Sequence, residues 1–495
     1  MPDDQTAVAA PEPADGKARG PATQAPAAPS PAAYGPDIFA RFVRALKGRR
    51  SSEPTPQRLA EMARALLSIR GEASGIALAQ RLLTEYQAAS DADRLAFLVE
   101  LACEFGPDRK RLADCIADYQ RQPDATAALA LHLAAESHRQ ELIRRMNQAP
   151  GGTTGLVRMR EDVLRNLSAH EALAALDADF VHLLSSWFNR GFLRLTRIDW
   201  STPAEILERI IRYEAVHEIS SWNELRRRIS LPDRCCFGFF HPALDKDPLV
   251  FVEVALTVGI PGAIGPLLAE QREPIDPKRA DTAIFYSISN CHDGLRGVSF
   301  GNFLIKQVVE ELSRDFSALR TFATLSPVPG FTRWLAAEIR HPGTALLTED
   351  DRNALASLLA PGAELSRTQL DAVRTELTRA LLTYLAEARG RGDKPADPVA
   401  RFHLGNGARL DRLHWQADLG PKGIKQSLGF MVSYVYELDA VERNHEAYAS
   451  RGEVALSSAL ARNVAAERRR RAKAGGSGAA SGAVVQDDAA RAKAG

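Results

Sequence analysis

A serine followed by two prolines is the first place in this chain where chemistry could be held. In Phe322-Ala-Thr-Leu-Ser-Pro-Val-Pro-Gly-Phe331, Pro327 and Pro329 bracket Val328, and Gly330 follows. Proline fixes φ and removes an amide donor, so neither a helix nor an inner strand runs through such a segment. The spacing predicts a strand ending near Leu325, Ser326 on a rigid turn at its mouth, and a helix resuming at Phe331. A hydroxyl with so little backbone freedom can bind and orient a substrate group. An ordinary Ser-Pro turn has the same composition, so the segment gains weight only from its neighbours.

Upstream, Ala283-Ile-Phe-Tyr-Ser-Ile-Ser289 is rich in β-branched and aromatic residues and reads as a strand. It runs into the glycine-bearing loop 290–302, and Leu304, Val308 and Leu312 then mark a helix. Strand, loop and helix in this order aim backbone N–H groups and a positive helix end at a phosphate. Arg296-Gly-Val-Ser-Phe-Gly301 resembles the pyrophosphate loop of GNAT-type acyl-CoA enzymes, with Ser299 where the middle glycine is expected. Arg296, Gly297, Val298, Ser299, Phe300, Gly301 and Asn302 are therefore the candidate substrate-binding residues. An ordinary strand-to-helix turn is the competing reading.

Further downstream lie Arg401-Phe-His-Leu-Gly-Asn-Gly-Ala-Arg-Leu410, Leu413-His-Trp-Gln-Ala-Asp418 and Gly423-Ile-Lys-Gln-Ser-Leu-Gly-Phe-Met-Val-Ser-Tyr-Val-Tyr436. Taken with the two segments above, with Tyr213-Glu-Ala-Val-His217 and with Arg234-Cys-Cys-Phe-Gly-Phe-Phe240, they resemble the malonyl-CoA decarboxylase family. The resemblance runs from about Phe39 to Ala461 and is strongest between Ile198 and Glu437. It implies conversion of malonyl-CoA to acetyl-CoA and CO2 through a thioester enolate, with no cofactor beyond the substrate's own CoA. It gives Ser326 the task of orienting the carboxylate, His403 that of protonating carbon, and Tyr436 a bond to the serine or the carboxylate. Imidazole titrates near neutral pH, which suits a general acid. Vertebrate members have a glutamate near the serine that falls at Ser299 here, a departure that leaves the positioning role of Ser326 untouched. His217 matches the family without an assignable role. His292 and His414 are taken as structural, and Glu253, inside an apolar strand, either faces water or pairs with an arginine.

The composition excludes several classes. At 495 residues and 45% hydrophobic the chain is too long for one ordinary domain. A net charge of +1 calls for neither nucleic acid nor a membrane surface. No apolar run approaches the roughly 20 residues of a membrane span. The amino terminus lacks the features of a secretory signal or a good transit peptide, and the chain does not end in a peroxisomal address. Five cysteines without Cys-x-x-Cys spacing read as reduced thiols in a cytoplasmic protein, with an inter-subunit disulfide as the alternative. The scattered histidines offer no metal-ligand spacing.

These patterns predict a multidomain α and α/β protein. A disordered tail, 1–35, precedes a helical bundle, 36–190, in which Leu78, Leu82 and Tyr86, and Leu95, Leu98, Val99 and Ala102, line helix faces. A mixed catalytic domain follows over 191–462, with a helical insertion at 349–389 and, from the resemblance, a GNAT-type sheet. The basic stretch 463–495 is expected to be a second disordered tail. The family resemblance and the amphipathic helical region together imply a homo-oligomer, a tetramer, joined through that region. Two other functions compete with the decarboxylase: a GNAT-fold acyltransferase using malonyl- or acetyl-CoA, and a non-catalytic acyl-CoA sensor, against which the pairing of Ser326 with His403 argues.

Overall fold

The computed structural model describes residues 54–244, 247–298, 304–341, 346–356, 358 and 366–474. The expected amino-terminal tail and positions 299–302 of the loop lie outside them.

The first part is helical: α1 (Pro56–Ser68), α2 (Glu72–Ala88), α3 (Asp91–Glu104), α4 (Arg109–Arg121), α5 (Ala125–Ala135), α6 (His138–Asn147), α7 (Gly152–Asn166) and α8 (Leu173–Trp187). Side-chain oxygens of Thr55, Ser90, Asp108, Asp124 and Ser137 cap five of their amino termini, so short loops suffice to start each helix. The predicted apolar faces are buried: Leu78, Leu82 and Tyr86 on α2, Leu98 and Ala102 on α3. The α4–α5 hairpin is the exception. None of the residues of α4 is buried, and on α5 only Ala134 is.

The second part is built on one mixed sheet of eight strands: β1 (Arg194–Ile198), β2 (Arg234–Phe240), β3 (Pro248–Thr257), β4 (Thr282–Asn290), β5 (Thr321–Thr324), β6 (Ser326–Pro327), β7 (Arg409–His414) and β8 (Met431–Val435). Between and around them lie α9 (Ala204–Tyr213), α10 (Trp222–Ile229), α11 (Gly265–Leu268), α12 (Leu304–Asp315) and α13 (Phe331–Arg340). The remaining helices are α14 (Glu349–Ala356), α15 (Arg367–Ala372), α16 (Arg374–Ala386), α17 (Pro398–Gly405), α18 (Pro421–Ser427), α19 (Val441–Arg451) and α20 (Ser458–Ala474). Strands β1 to β4 pair antiparallel in sequence order. The β2 strand is buried at every position and β3 at all but its last, as expected of strands covered on both faces. One face of the sheet shares a continuous apolar core with the helical part.

Two irregularities open the sheet. Val254 faces Phe285 while Glu253 faces Ser287, so Tyr286 is an extra residue that bends β4. The parallel pair β4–β5 holds only from Thr282↔Thr321 to Phe285↔Thr324. Beyond it β4 continues to Asn290 beside β3, while the other chain turns to pair Ser326 with Val432 of β8. Ser326 thus sits where two strands part.

One sequence expectation fails. Residues 458–474 form α20, so the carboxy-terminal tail does not begin at 463. Its basic run is not simply solvated: Arg470 pairs with Asp351 of α14, and Arg468 and Arg471 pair with Glu387 beyond α16. Those partners come from distant sequence, which composition does not reveal.

Candidate active site

The turn at Ser326 is enforced by its own residues. Proline at 327 and 329 prevents β6 from extending, and α13 begins directly after Gly330. His403 arrives on α17, an eight-residue helix that starts with proline and is capped by Asp397. Tyr434 and Tyr436 project from β8 and its end on the same side, two residues apart.

These elements bring three predicted residues into one line. Ser326 Oγ is 3.1 Å from His403 Nε2, and His403 Nδ1 is 2.8 Å from the Tyr436 hydroxyl. All three side chains are buried. The Ser326 hydroxyl donates to Thr324 Oγ1 at 2.8 Å. A hydroxyl has one hydrogen, so Nε2 must carry the proton it shares with Ser326, and Nδ1 accepts from Tyr436. Burial keeps the Tyr436 phenol protonated by pushing it well above its usual range. Burial also pushes His403 down to about 3, so the imidazole is neutral in the empty site. In this arrangement the hydrogen of Ser326 is given to Thr324, and a lone pair on its oxygen receives the Nε2 hydrogen. The serine is not being deprotonated for attack.

A cavity of about 310 Å³ is lined by none of the three but is walled in part by Phe402, whose ring lies 5.1 Å from that of His403. Arg296, Gly297 and Val298 form one wall, and Arg401, Phe402 and Asn406 of the histidine-bearing segment form another. Gly297 adopts φ +81°, a left-handed conformation that glycine takes without strain. The cavity therefore joins the described part of the predicted loop to the helix that carries His403. Its two arginines suit an anionic ligand. Ser299, Phe300, Gly301 and Asn302 lie outside the described residues.

The family profile described as malonyl-CoA decarboxylase C-terminal domain matches residues 191–474, and its N-terminal counterpart matches residues 105–188. The mitochondrial malonyl-CoA decarboxylase of Anser anser anser is 34% identical over 380 residues, covering 70% of this chain and 75% of that protein. The crystal structure of malonyl-CoA decarboxylase from Rhodopseudomonas palustris shares 53% identity with a TM-score of 0.80, covering 82% of this chain and 99% of that one. The one from Agrobacterium vitis shares 52% with a TM-score of 0.76 over the same fractions. The chain belongs to the malonyl-CoA decarboxylase family. Members of that family are decarboxylating enzymes, and this chain is one.

Within this family member, two site residues escaped sequence reasoning. Thr324 accepts from both Ser326 and the Tyr434 amide, the latter at 3.1 Å. It stands two residues before Ser326, the strand period that would have pointed to it. The Tyr434 ring stacks on His403 with centroids 4.7 Å apart. Its signal was the alternation with Tyr436.

The other titratable candidates lie apart from this line. His414 bonds Ser433 at 2.7 Å and, like His217, is pushed by burial down to about 4. Glu253 pairs with Arg228 at 3.1 Å, which decides between the two expectations for it. Arg228 also serves Glu224, so burial and the neighbouring Glu214 still drive Glu253 up to about 8. Cys235, Cys236 and Cys291 are buried free thiols. Among the described residues no group of acids, histidines and cysteines could hold a metal ion, and no helix is long and apolar enough to cross a membrane.

Proposed function

We propose that this chain decarboxylates malonyl-CoA to acetyl-CoA and CO2. The observation that carries the reading is the buried line Tyr436–His403–Ser326, with hydrogen bonds of 2.8 and 3.1 Å; the helix that bears His403 also walls, through Arg401 and Phe402, a cavity bounded by the Arg296–Val298 loop. That loop and the cavity arginines hold the phosphates of CoA. Ser326 turns its hydroxyl hydrogen from Thr324 to the malonyl carboxylate and holds that group out of the thioester plane, where its bond to carbon overlaps the carbonyl π system. Orientation of this kind can supply several kcal/mol of a barrier. Loss of CO2 leaves the electron pair on the thioester enolate. The incoming carboxylate is an anion beside a neutral imidazole, so it raises the His403 pKa from the empty-site value and the ring takes up a proton from solvent. That proton then passes to carbon and gives acetyl-CoA. Tyr436 holds Nδ1 and fixes the ring. The steps need no cofactor beyond the CoA of the substrate.

The sheet is read as GNAT-type, a reading supported by the parallel β4–β5 pair that parts beside the loop and by the bulge at Tyr286. The free thiols fit a reducing, cytoplasmic compartment. A homo-oligomer, a tetramer, is supported by the α4–α5 hairpin, which presents Ile116, Tyr119, Leu129 and Leu133 to solvent.

The test is to give the protein malonyl-CoA alone and follow CO2 and acetyl-CoA. The expected outcome is equal release of both. A protein that stays idle until an amine or carrier thiol is added is an acyltransferase.

A further inference from the structure

Ser326 and His403 are 77 residues apart, and the single hydrogen bond between them has to be aligned by something stiffer than itself. Asp397 occupies that position. Its Oδ1 accepts from the Val399 and Ala400 amides, each at 2.9 Å, and so caps the helix carrying His403. Its Oδ2 accepts from the Tyr384 hydroxyl of α16 at 3.3 Å. Gly330, four residues after Ser326, lies beside this carboxylate, and its amide favours the ionised form. The fit is close: a Cβ on Gly330 would overlap the Tyr384 hydroxyl and come within 3.7 Å of Asp397 Oδ2. One buried carboxylate therefore caps the histidine helix, bonds Tyr384 of another helix and lies beside Gly330 of the serine turn.

We propose that Asp397 is a positioning residue for the decarboxylation, locking the Ser326 turn to the His403 helix and so setting the Ser326–His403 contact. The proposal rests on the roles given above to those two residues. From Asp397 to His403 the helix runs six residues, about 9 Å at its usual rise, as one rigid body. A small tilt at the cap is carried to the imidazole. Misplacement of about 1 Å can cost on the order of a hundredfold in rate. The charge on Asp397 faces amide and phenol hydrogens, which makes its purpose geometric. Burial pushes it up to about 6, so the ionised form is held at a cost.

The test is a double-mutant cycle on the full chain with malonyl-CoA. Asp397→Asn keeps an oxygen for the helix cap, where Asn and Asp serve equally, but presents an amide to Gly330 and Tyr384. We expect kcat to fall roughly tenfold or more with KM within about twofold. In a His403→Asn background the same substitution should have no further effect, since what it positions is gone. Tyr384→Phe removes one hydroxyl from the cluster and should show the same pattern at about threefold, keeping the test open if Asp397→Asn does not fold. Equal losses of kcat in both backgrounds would overturn the positioning role and make Asp397 a stability residue only. Near-normal turnover in His403→Asn alone would instead overturn the catalytic reading on which it rests.

Discussion

Burial and the role proposed for His403 ask opposite things of it. Folding holds it neutral, down to about 3, while the proposed proton transfer to an enolate needs a charged imidazole once substrate is bound. Below about pH 6.5 the unfolded chain takes up a proton on this histidine that the folded, empty site refuses until about pH 3. Stability therefore falls as pH falls through that window, by at most about 1.4 kcal/mol per unit from this group. His403→Asn should flatten the thermal midpoint against pH between 6.5 and 4, leaving the part of the slope due to His217 and His414, and should cut turnover by at least about a hundredfold. Calorimetry across pH and steady-state kinetics check the two halves; a profile parallel to the parent's removes the first. Ser326→Ala should also lower turnover strongly with the fold intact, because only a buried hydroxyl and its bonds to Thr324 and His403 are lost. No acyl-enzyme should appear by mass spectrometry after rapid quench, since Ser326 accepts a hydrogen bond from His403 and is not activated by it. A malonyl or acetyl group on Ser326 would reverse that assignment. Ser326, His403 and Tyr436 were legible through the family's motifs. Asp397 could be read as a helix cap before Pro398, but its reach to Gly330 could not.

At the scale of elements, the helical part supports the loop that walls the cavity although it carries no motif of its own. Arg160 of α7 is buried; its Nε bonds Asp177 at 2.8 Å and its Nη1 bonds the Gly294 carbonyl at 2.7 Å. A Cβ on Gly294 would collide with the Val157 carbonyl, so the loop's backbone lies directly on this helix. Gly294 stands two residues before Arg296, on the wall of the cavity. Arg160→Lys keeps a charge but loses the fork that spans both partners. The expected result is a KM for malonyl-CoA raised several-fold, with kcat within about twofold, because binding is loosened and the reacting line is untouched. An unchanged KM would mean that the loop is held without this helix. The helices, the β2–β3 hairpin and the strand–turn–helix at Ser326 were all legible from periodicity and proline placement. The bulge at Tyr286 was not, because it depends on register between strands and leaves no mark in either strand alone.

At the scale of the molecule, the α4–α5 hairpin is the feature least accounted for by one chain. Ile116, Tyr119, Leu129 and Leu133 are between 38% and 58% exposed on helices that bury almost nothing. If they face a second copy, Leu129→Glu together with Leu133→Glu should shift the protein to a smaller species by light scattering while its secondary structure is kept. A parent that is already monomeric at micromolar concentration would place the interface nowhere on this hairpin.

The sequence by itself determined the order of elements, the helical part before the mixed part, and the family, because apolar period, proline placement and motif order are local properties. It also named the serine, the histidine and the tyrosine. Only the tertiary structure decided that they form one line, that Nε2 carries the proton, and that His403 is neutral when the site is empty. Hydrogen-bond direction and desolvation depend on what surrounds a group, and here the surroundings come from β5, β8 and α17, which are brought together from 321 to 436. The same holds for α20: its basic run reads as a solvated tail until Asp351 and Glu387 are seen beside it, and those carboxylates arrive only when the chain has folded.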